Sequence, residues 1–374
     1  MAFLALLPVV GGLLQTSAAQ STRPADWPAF HGGGALTGQA APIGAPPMKL
    51  RWTYKVSQDE PVRILGSAAI VGQTVYVADH RGIVHAINLA DGTKRWTYSA
   101  KEGFESSPLV MDGKVFIGDT LGTFHAIDAA DGKPLWTFDA VTTIYGSANS
   151  ADGKIIFGTA GADIFCLNPA DGKPIWQQKA NDRINGTPAV TDHVFVSGCD
   201  SVLRAFTVTD GRETSATELK SLCPGSPAIA NGKIVVGIDG GVIQCFDEQT
   251  KKPLWTFEGV GNQAMVYSSP AIADGIVVAG ARDRNVYALD LSTGEKKWNF
   301  PTRGDVDSSP LISGGRVYFG SADRTFYILD LKTGQELWTF AAGRGISAAP
   351  AIGQGVVVIA DEAGSVFCLE PVGK

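Results

Sequence analysis

The chain is poor in the residues that build reactive centres. Its 374 residues include five cysteines, no two of them adjacent, and five histidines, His31, His80, His85, His125 and His193, whose spacing matches no metal-ligand pattern. There is no glycine-rich phosphate loop and no serine in a nucleophile elbow. Charged residues make up only 18%, the basic ones do not cluster, and the net charge is −6, a balance that argues against nucleic acid as partner. Helical periodicity is missing, because the apolar runs are short, β-rich and bounded by Gly, Asp and Asn. The one longer apolar run, residues 1–19, is too short and too abruptly ended for a membrane span; it finishes in Ser17-Ala18-Ala19 and reads as a secretory signal. With no cysteine beside that cleavage site a lipid anchor is not expected, and the mature protein is expected outside the cytoplasm, in the periplasm or cell envelope.

What the chain has in quantity is a repeat. The stretch from Ala288 to Trp298 runs Ala-Leu-Asp-Leu-Ser-Thr-Gly-Glu-Lys-Lys-Trp. It reads as a strand ended by Asp290, a turn at Thr293-Gly294, and a second strand that carries an indole. Echoes run from Ala86 to Trp96, Ala126 to Trp136, Cys166 to Trp176, Cys245 to Trp255 and Ile328 to Trp338, with a weakened copy from Ala205 in which Ser215 takes the tryptophan place. Upstream of each lies a second phrase, Ser107-Pro108, Ser226-Pro227, Ser269-Pro270 or Ser309-Pro310, then a tight turn and a β-branched run. Each period of about 40 residues is therefore four short strands, the arrangement of a propeller blade.

Counting periods gives an all-β, eight-bladed propeller of four-stranded antiparallel blades. The last repeat reaches Cys368 and stops without its tryptophan strand, whereas the strand around Trp52 precedes the first Ser-Pro-like phrase. Pairing the two closes the ring and removes an exposed sheet edge. The domain reading is a signal peptide at 1–19, a Pro/Gly-rich leader at 20–48, and a single propeller at 49–374, because blades bury their faces only against neighbours. The leader contains Asp26-Trp27-Pro28-Ala29-Phe30, apolar enough to dock on the propeller as an ordered brace; the alternative is a floppy linker.

The indoles of Trp52, Trp96, Trp136, Trp176, Trp255, Trp298 and Trp338 are expected to fill the wedges between blades and to donate to backbone carbonyls, which is a structural role. Cys166, Cys245 and Cys368 stand where sister repeats have alanine and read as small buried hydrophobes. Cys199 and Cys223 have no such equivalents and fall on the same face of the ring, where they either form a disulfide or remain two free thiols. His85 and His125 occupy a strand position otherwise held by Tyr or Phe and are expected to be exposed or half-packed.

Function is then expected at the mouth of the central channel. Two residues before the aligned Ser, the repeats carry Leu65, Glu105, Tyr145, Asn185, Pro224, Tyr267, Asp307 and Ser347, a ring whose identity varies on a fixed frame. Turns after each second strand add His80-Arg81, Asp200, Asp239, Arg282-Asp283-Arg284, Asp323-Arg324 and Asp361-Glu362. The candidate interaction face is Glu105, Tyr145, Asn185, Tyr267, Asp307, Arg282, Arg284 and Arg324, and ordinary solvated loops are the alternative reading of the same pattern.

The motif Ala-x-Asp-x-x-Thr-Gly-x-x-x-Trp, seen from Ala288 to Trp298, resembles the tryptophan-docking motif of pyrroloquinoline quinone-type propellers, over roughly residues 49–374. That resemblance implies either a quinoprotein alcohol or sugar dehydrogenase, or a non-catalytic scaffold like the propeller lipoprotein of the outer-membrane barrel-assembly machinery. The dehydrogenases would bring Ca²⁺ held by Asp, Asn and Glu, an indole under the quinone, and often a disulfide between adjacent cysteines. The seven repeat tryptophans sit at docking positions and Trp27 lies in the leader, so no indole remains for a quinone. A non-catalytic, monomeric scaffold is expected, with no cofactor and with no catalytic or metal residue assigned. It is expected to present its channel mouth to a protein or peptide, and the resemblance implies a role in outer-membrane protein assembly; the alternatives are the dehydrogenase and a small-ligand sensor.

Overall fold

The computed structural model describes residues 25–373, so the segment read as a secretory signal lies outside the described residues. Eight four-stranded sheets surround a central channel, each antiparallel within itself and numbered here as blades 1 to 8. Blade 1 shows the common plan, with Ala69–Val71 innermost, then Thr74–Ala78, Ile83–Asn88 and, outermost, Lys94–Ser99. The innermost strands of blades 2 to 8 begin at Leu109, Asn149, Ala189, Ala228, Ala271, Leu311 and Ala351. Helix is limited, among the described residues, to two single turns at Phe30–Gly32 and Gly261–Gln263, and no helix is long and apolar enough to cross a membrane.

The ring closes as its repeat count requires. Met48–Lys55 supplies the outer strand of blade 8, pairing antiparallel with Ser365–Pro371. The third and fourth strands of each blade are joined by the repeated turn, and its chemistry explains the repeated acid or amide. Asp290 Oδ1 accepts the backbone N–H of Ser292 at 2.8 Å and of Thr293 at 3.1 Å, while Gly294 takes the left-handed φ of 75° that the turn requires. Asn88, Asp128 and Asn168 accept equivalent bonds in blades 1 to 3.

Glycine at that turn has a second cause. A Cβ on Gly334 would lie 2.6 Å from the indole of Trp298, which lies over the turn of the next blade. The Trp298 Nε1 donates to Leu331 O at 2.9 Å, and Trp52, Trp96, Trp136, Trp176 and Trp255 bond in the same way to Leu89, Ala129, Pro169, Val208 and Leu291. Blade 8 has no such turn, since its outer strand comes from the other end of the chain. Trp338, which faces it, is half-buried and makes no such bond among the described residues.

The leader runs around the inside of the ring. Its carbonyls accept backbone N–H bonds from the innermost strands in blade order: Trp27 O from Ile70, Pro28 O from Val110, Gly34 O from Val190, Ala35 O from Ile229, Thr37 O from Ile272 and Gly38 O from Ile312. Blade 3 is reached through a side chain, Asn149 Oδ1 accepting from Gly34 N at 2.8 Å and Nδ2 donating back to Gly34 O. Ala25 O accepts from Gln354 N of blade 8, and Gln39–Ala40 adds a short parallel strand beside Leu311–Ser313 of blade 7. One segment thus satisfies the open inner edge of every sheet.

His85 and His125 differ from the expectation of exposed or half-packed residues, for both are buried. Their Nε2 atoms lie 3.0 Å from Asp79 Oδ2 and Asp119 Oδ2, and their Nδ1 atoms lie 3.0 and 2.9 Å from the hydroxyls of Tyr54 and Tyr98 on the preceding blade. An imidazole with both nitrogens satisfied is tolerated in the interior. Burial raises the Asp119 carboxyl, but hydrogen bonds from His125, Thr123 and Leu121 outweigh it and hold the group below its usual range.

Candidate functional site

At one end of the channel the loops between blades and the turns after each second strand enclose a cavity of about 510 Å³. Each blade contributes by the same rule. The backbone N–H of the turn residue donates to the carbonyl two residues before the variable position, as in His80 to Arg63, Cys199 to Arg183, Arg282 to Met265 and Glu362 to Gly345. That bond fixes both loops over the channel, so a change of side chain there alters the cavity without altering the frame.

All eight variable-ring residues, Leu65, Glu105, Tyr145, Asn185, Pro224, Tyr267, Asp307 and Ser347, line this cavity, and Arg282 joins them. Arg284 and Arg324 do not line it. They are the third residues of their turns, in the left-handed region at φ 67° and 74°, where blades 1, 2, 5 and 8 carry Gly82, Gly122, Gly241 and Gly364. In that conformation both are exposed, while their carbonyls accept Thr302 N and Ala342 N. Arg63, Arg183, Glu362 and the leader residue Phe30 also line the cavity. Arg63 and Arg183 occupy loop positions as regular as the ring itself, so the repeat register was the signal that could have found them.

Below the ring lies a belt of hydroxyls. Ser67 N donates to Ser107 Oγ, Ser107 N to Ser147 Oγ, Ser147 N to Thr187 Oγ1, Thr187 N to Ser226 Oγ, Ser226 N to Ser269 Oγ, and Ser269 N to Ser309 Oγ, at 2.8 to 3.1 Å. The recurring Ser of the Ser-Pro phrase is therefore a blade-to-blade fastener at the channel wall. The belt is interrupted at blade 8, where Ala349 has no hydroxyl.

One wall is rigid. Arg282 forks onto Asp307, Nε to Oδ1 at 2.8 Å and Nη2 to Oδ2 at 2.9 Å, while its guanidinium lies 4.5 Å from the centre of the Tyr267 ring. Burial, then the Asp307 charge, pushes the Tyr267 phenol up from 10.0, so it remains a neutral donor. Opposing charges on the cavity wall balance, with Arg63, Arg183 and Arg282 against Glu105, Asp307 and Glu362. Asn185 Oδ1 and Ser347 Oγ are buried and have no hydrogen-bond partner.

Cys199 and Cys223 are both free thiols in the structure. Cys223 is fully buried in a polar cage, with Ser197 Oγ at 3.1 Å and the carbonyls of Gly237 and Gly225 at 3.3 and 3.4 Å; burial pushes its thiol up to about 11. Cys199 instead accepts from Asn185 Nδ2 at 3.7 Å and adjoins Arg183. Sharing a face of the ring did not aim the two sulfurs at each other.

The family model of the outer membrane protein assembly factor BamB matches residues 122–242, 200–338 and 239–373, together well over half of the chain. The chain belongs to the BamB family. No curated protein matches it by sequence. Among solved structures, BamB from Moraxella catarrhalis is similar at 20% identity and TM-score 0.72, over 87% of this chain and 98% of that one. A europium-containing methanol dehydrogenase is similar at 13% and 0.75, over 92% and 98%. The quinohemoprotein alcohol dehydrogenase of Comamonas testosteroni is similar at 16% and 0.76, over 98% and 83%. At these identities the structures share the fold.

The cavity of this BamB-family propeller does not fit the quinone that the dehydrogenase resemblance implies. No indole lines it: Trp27 is buried against the inner strand of blade 1, and the repeat tryptophans stand on outer strands. Among the described residues no group of three His, Cys, Asp or Glu is placed to hold a metal ion.

Proposed function

We propose that the protein is an exported, non-catalytic scaffold that docks another envelope protein on its cavity-bearing face, within outer-membrane protein assembly. The observation that carries this reading is an apolar patch beside the cavity. Leu121 is 57% exposed, Val141 78% and Tyr145 38%. Their loops abut, with Ala140 N donating to Gly122 O and Thr143 Oγ1 to Thr120 O, both at 2.8 Å. Val141 is held at φ 69° in a tight turn closed by Thr142 N to Ala140 O, an unfavourable conformation for a β-branched residue. A strained, exposed hydrophobe in a patch is retained where a partner covers it.

Two supports stand beside the patch. Membership of the BamB family supplies the class of process, and the cavity's lack of an indole floor argues against quinone chemistry. The test is site-specific photocrosslinking in the intact envelope. A crosslinker at position 141 or 121 is expected to capture a discrete envelope protein, while one at Gly113, in a turn on the opposite face, captures none. Equal capture from both faces, or none from 141 and 121, rejects the docking reading. Purified protein given pyrroloquinoline quinone and Ca²⁺ is expected to oxidise no alcohol or sugar in a dye-linked assay, and turnover there rejects the non-catalytic part.

A further inference from the structure

The cavity itself, inside the rim that carries the apolar patch, has a chemistry of its own. The leader follows the inner strands three positions beyond the hydroxyl belt, and its Phe30 reaches the cavity. About 510 Å³ is the space of a small molecule.

The walls state what such a molecule must offer. The belt hydroxyls from Ser107 to Ser309 each spend an acceptor site on a neighbouring backbone N–H, and each keeps its own O–H proton available. Asn185 Oδ1 is a buried acceptor without a donor, and Ser347 Oγ is buried with neither. Asn185 and Ser347 line the cavity while their unpartnered oxygens are turned out of solvent contact, so a rotation of either side chain offers an occupant an unsatisfied acceptor or hydroxyl beside the belt. Balanced formal charge on the wall gives no preference for a strongly anionic or cationic occupant. Tyr145 and Tyr267 present part-exposed rings from blades 3 and 6, and the second is held in place by Arg282 and Asp307. Flat apolar faces beside forked polar groups match a pyranose, with its C–H face and its equatorial hydroxyls.

We infer that the channel cavity binds a neutral saccharide of one or two sugar units, stacked on Tyr267 and hydrogen-bonded to Asn185, Ser347 and the hydroxyl belt. The inference goes beyond the docking reading and does not depend on it, because the patch and the cavity use different residues apart from Tyr145.

Isothermal titration of the purified full chain with cellobiose, maltose and di-N-acetylchitobiose tests it, with glycylglycine and citrate as zwitterionic and anionic comparators. At least one saccharide is expected to bind with Kd below about 1 mM. Tyr267→Ala and Asn185→Leu are each expected to weaken it by about tenfold or more, which corresponds to about 1.4 kcal/mol. Leu135→Ser, on the outer strand of blade 2, is expected to leave it unchanged. The inference is overturned if none of the three saccharides binds below about 10 mM, if glycylglycine or citrate binds more tightly than all of them, or if Tyr267→Ala and Asn185→Leu both bind as the parent does. Loss of photocrosslinks from positions 121 and 141 with saccharide binding intact would remove the docking reading alone.

Discussion

Trp52 and Cys368 stand directly opposite each other in the blade that joins the two ends of the chain, immediately beside a register shift between Leu50 and Trp52. The indole of Trp52 then crosses to the next blade and donates to Leu89 O at 2.8 Å, so one residue ties the closing sheet both to the C-terminal strand and to blade 1.

Trp52→Ala is expected to destabilise the protein by about 3 to 5 kcal/mol, since it empties a buried wedge and orphans a carbonyl. Trp338→Ala is expected to cost less, because that indole is half-buried and makes no interblade bond among the described residues. Gly92→Ala is expected to destabilise although it removes no atom, its φ being 74° and its new Cβ lying 2.8 Å from the Trp52 ring. Denaturant midpoints of the three variants decide the order.

The rebuilt interblade relay gives an opposite expectation. Asp361 is the blade 8 counterpart of Asp79 and Asp119, but Phe367 fills the histidine position and Asp361 Oδ2 is buried without a partner. The double variant Phe340→Tyr with Phe367→His supplies the missing imidazole and phenol. It is expected to gain about 1 to 2 kcal/mol in urea unfolding, and a loss would show that the apolar contact between Phe340 and Phe367 outweighs the orphaned oxygen.

Completing the hydroxyl belt is a smaller step of the same kind. Ala349→Ser places an acceptor where Ser309 N has no sister hydroxyl, and about 0.5 to 1.5 kcal/mol of added stability is expected at the unfolding midpoint. Ser226→Ala, which breaks the belt at blade 5, is expected to lose a similar amount.

His31 sets an acid limit. It is fully buried, stacked on Phe30, and burial lowers its pKa from 6.5 to about 4 despite bonds to backbone carbonyls such as Leu36 O. Above pH 6.5 both folded and unfolded states carry it neutral, and it contributes no pH dependence. As pH falls from 6.5 towards 4 the unfolded chain takes up the proton and the folded one does not, so stability drops and then levels off below the folded value. The total is about 3 kcal/mol. His31→Phe is expected to flatten the stability profile between these two pH values, as read from urea midpoints.

The blades were legible because each is a local unit. Asp290, Gly294 and Trp298 are fixed by neighbours within one hairpin and the next, and the same chemistry recurs at every period. The variable ring was legible for the same reason, since Glu105, Tyr145, Asn185, Tyr267 and Asp307 hold one register position. What escaped the sequence involves direction or distance. Arg284 and Arg324 share a turn type with their neighbours, but a left-handed backbone turns them away from the cavity. Cys199 and Cys223 share a face but not an orientation. His85 and His125 look like surface residues until Tyr54 and Tyr98 of the preceding blade are placed against them. The order in which the leader meets the blades follows no repeat, because it is one non-repeating segment that meets every repeat once.

That path carries a consequence for biosynthesis. Residues 25–42 and the strand around Trp52 are made before blade 1, yet their hydrogen-bond partners include Ile312, Gln354 and Cys368 of blades 7 and 8. Early blades can stack as they appear, but these segments wait, unpaired on that side, until blade 8 has been made. Ring closure is therefore expected to follow synthesis of blade 8, with the edges that these segments cover left open until then.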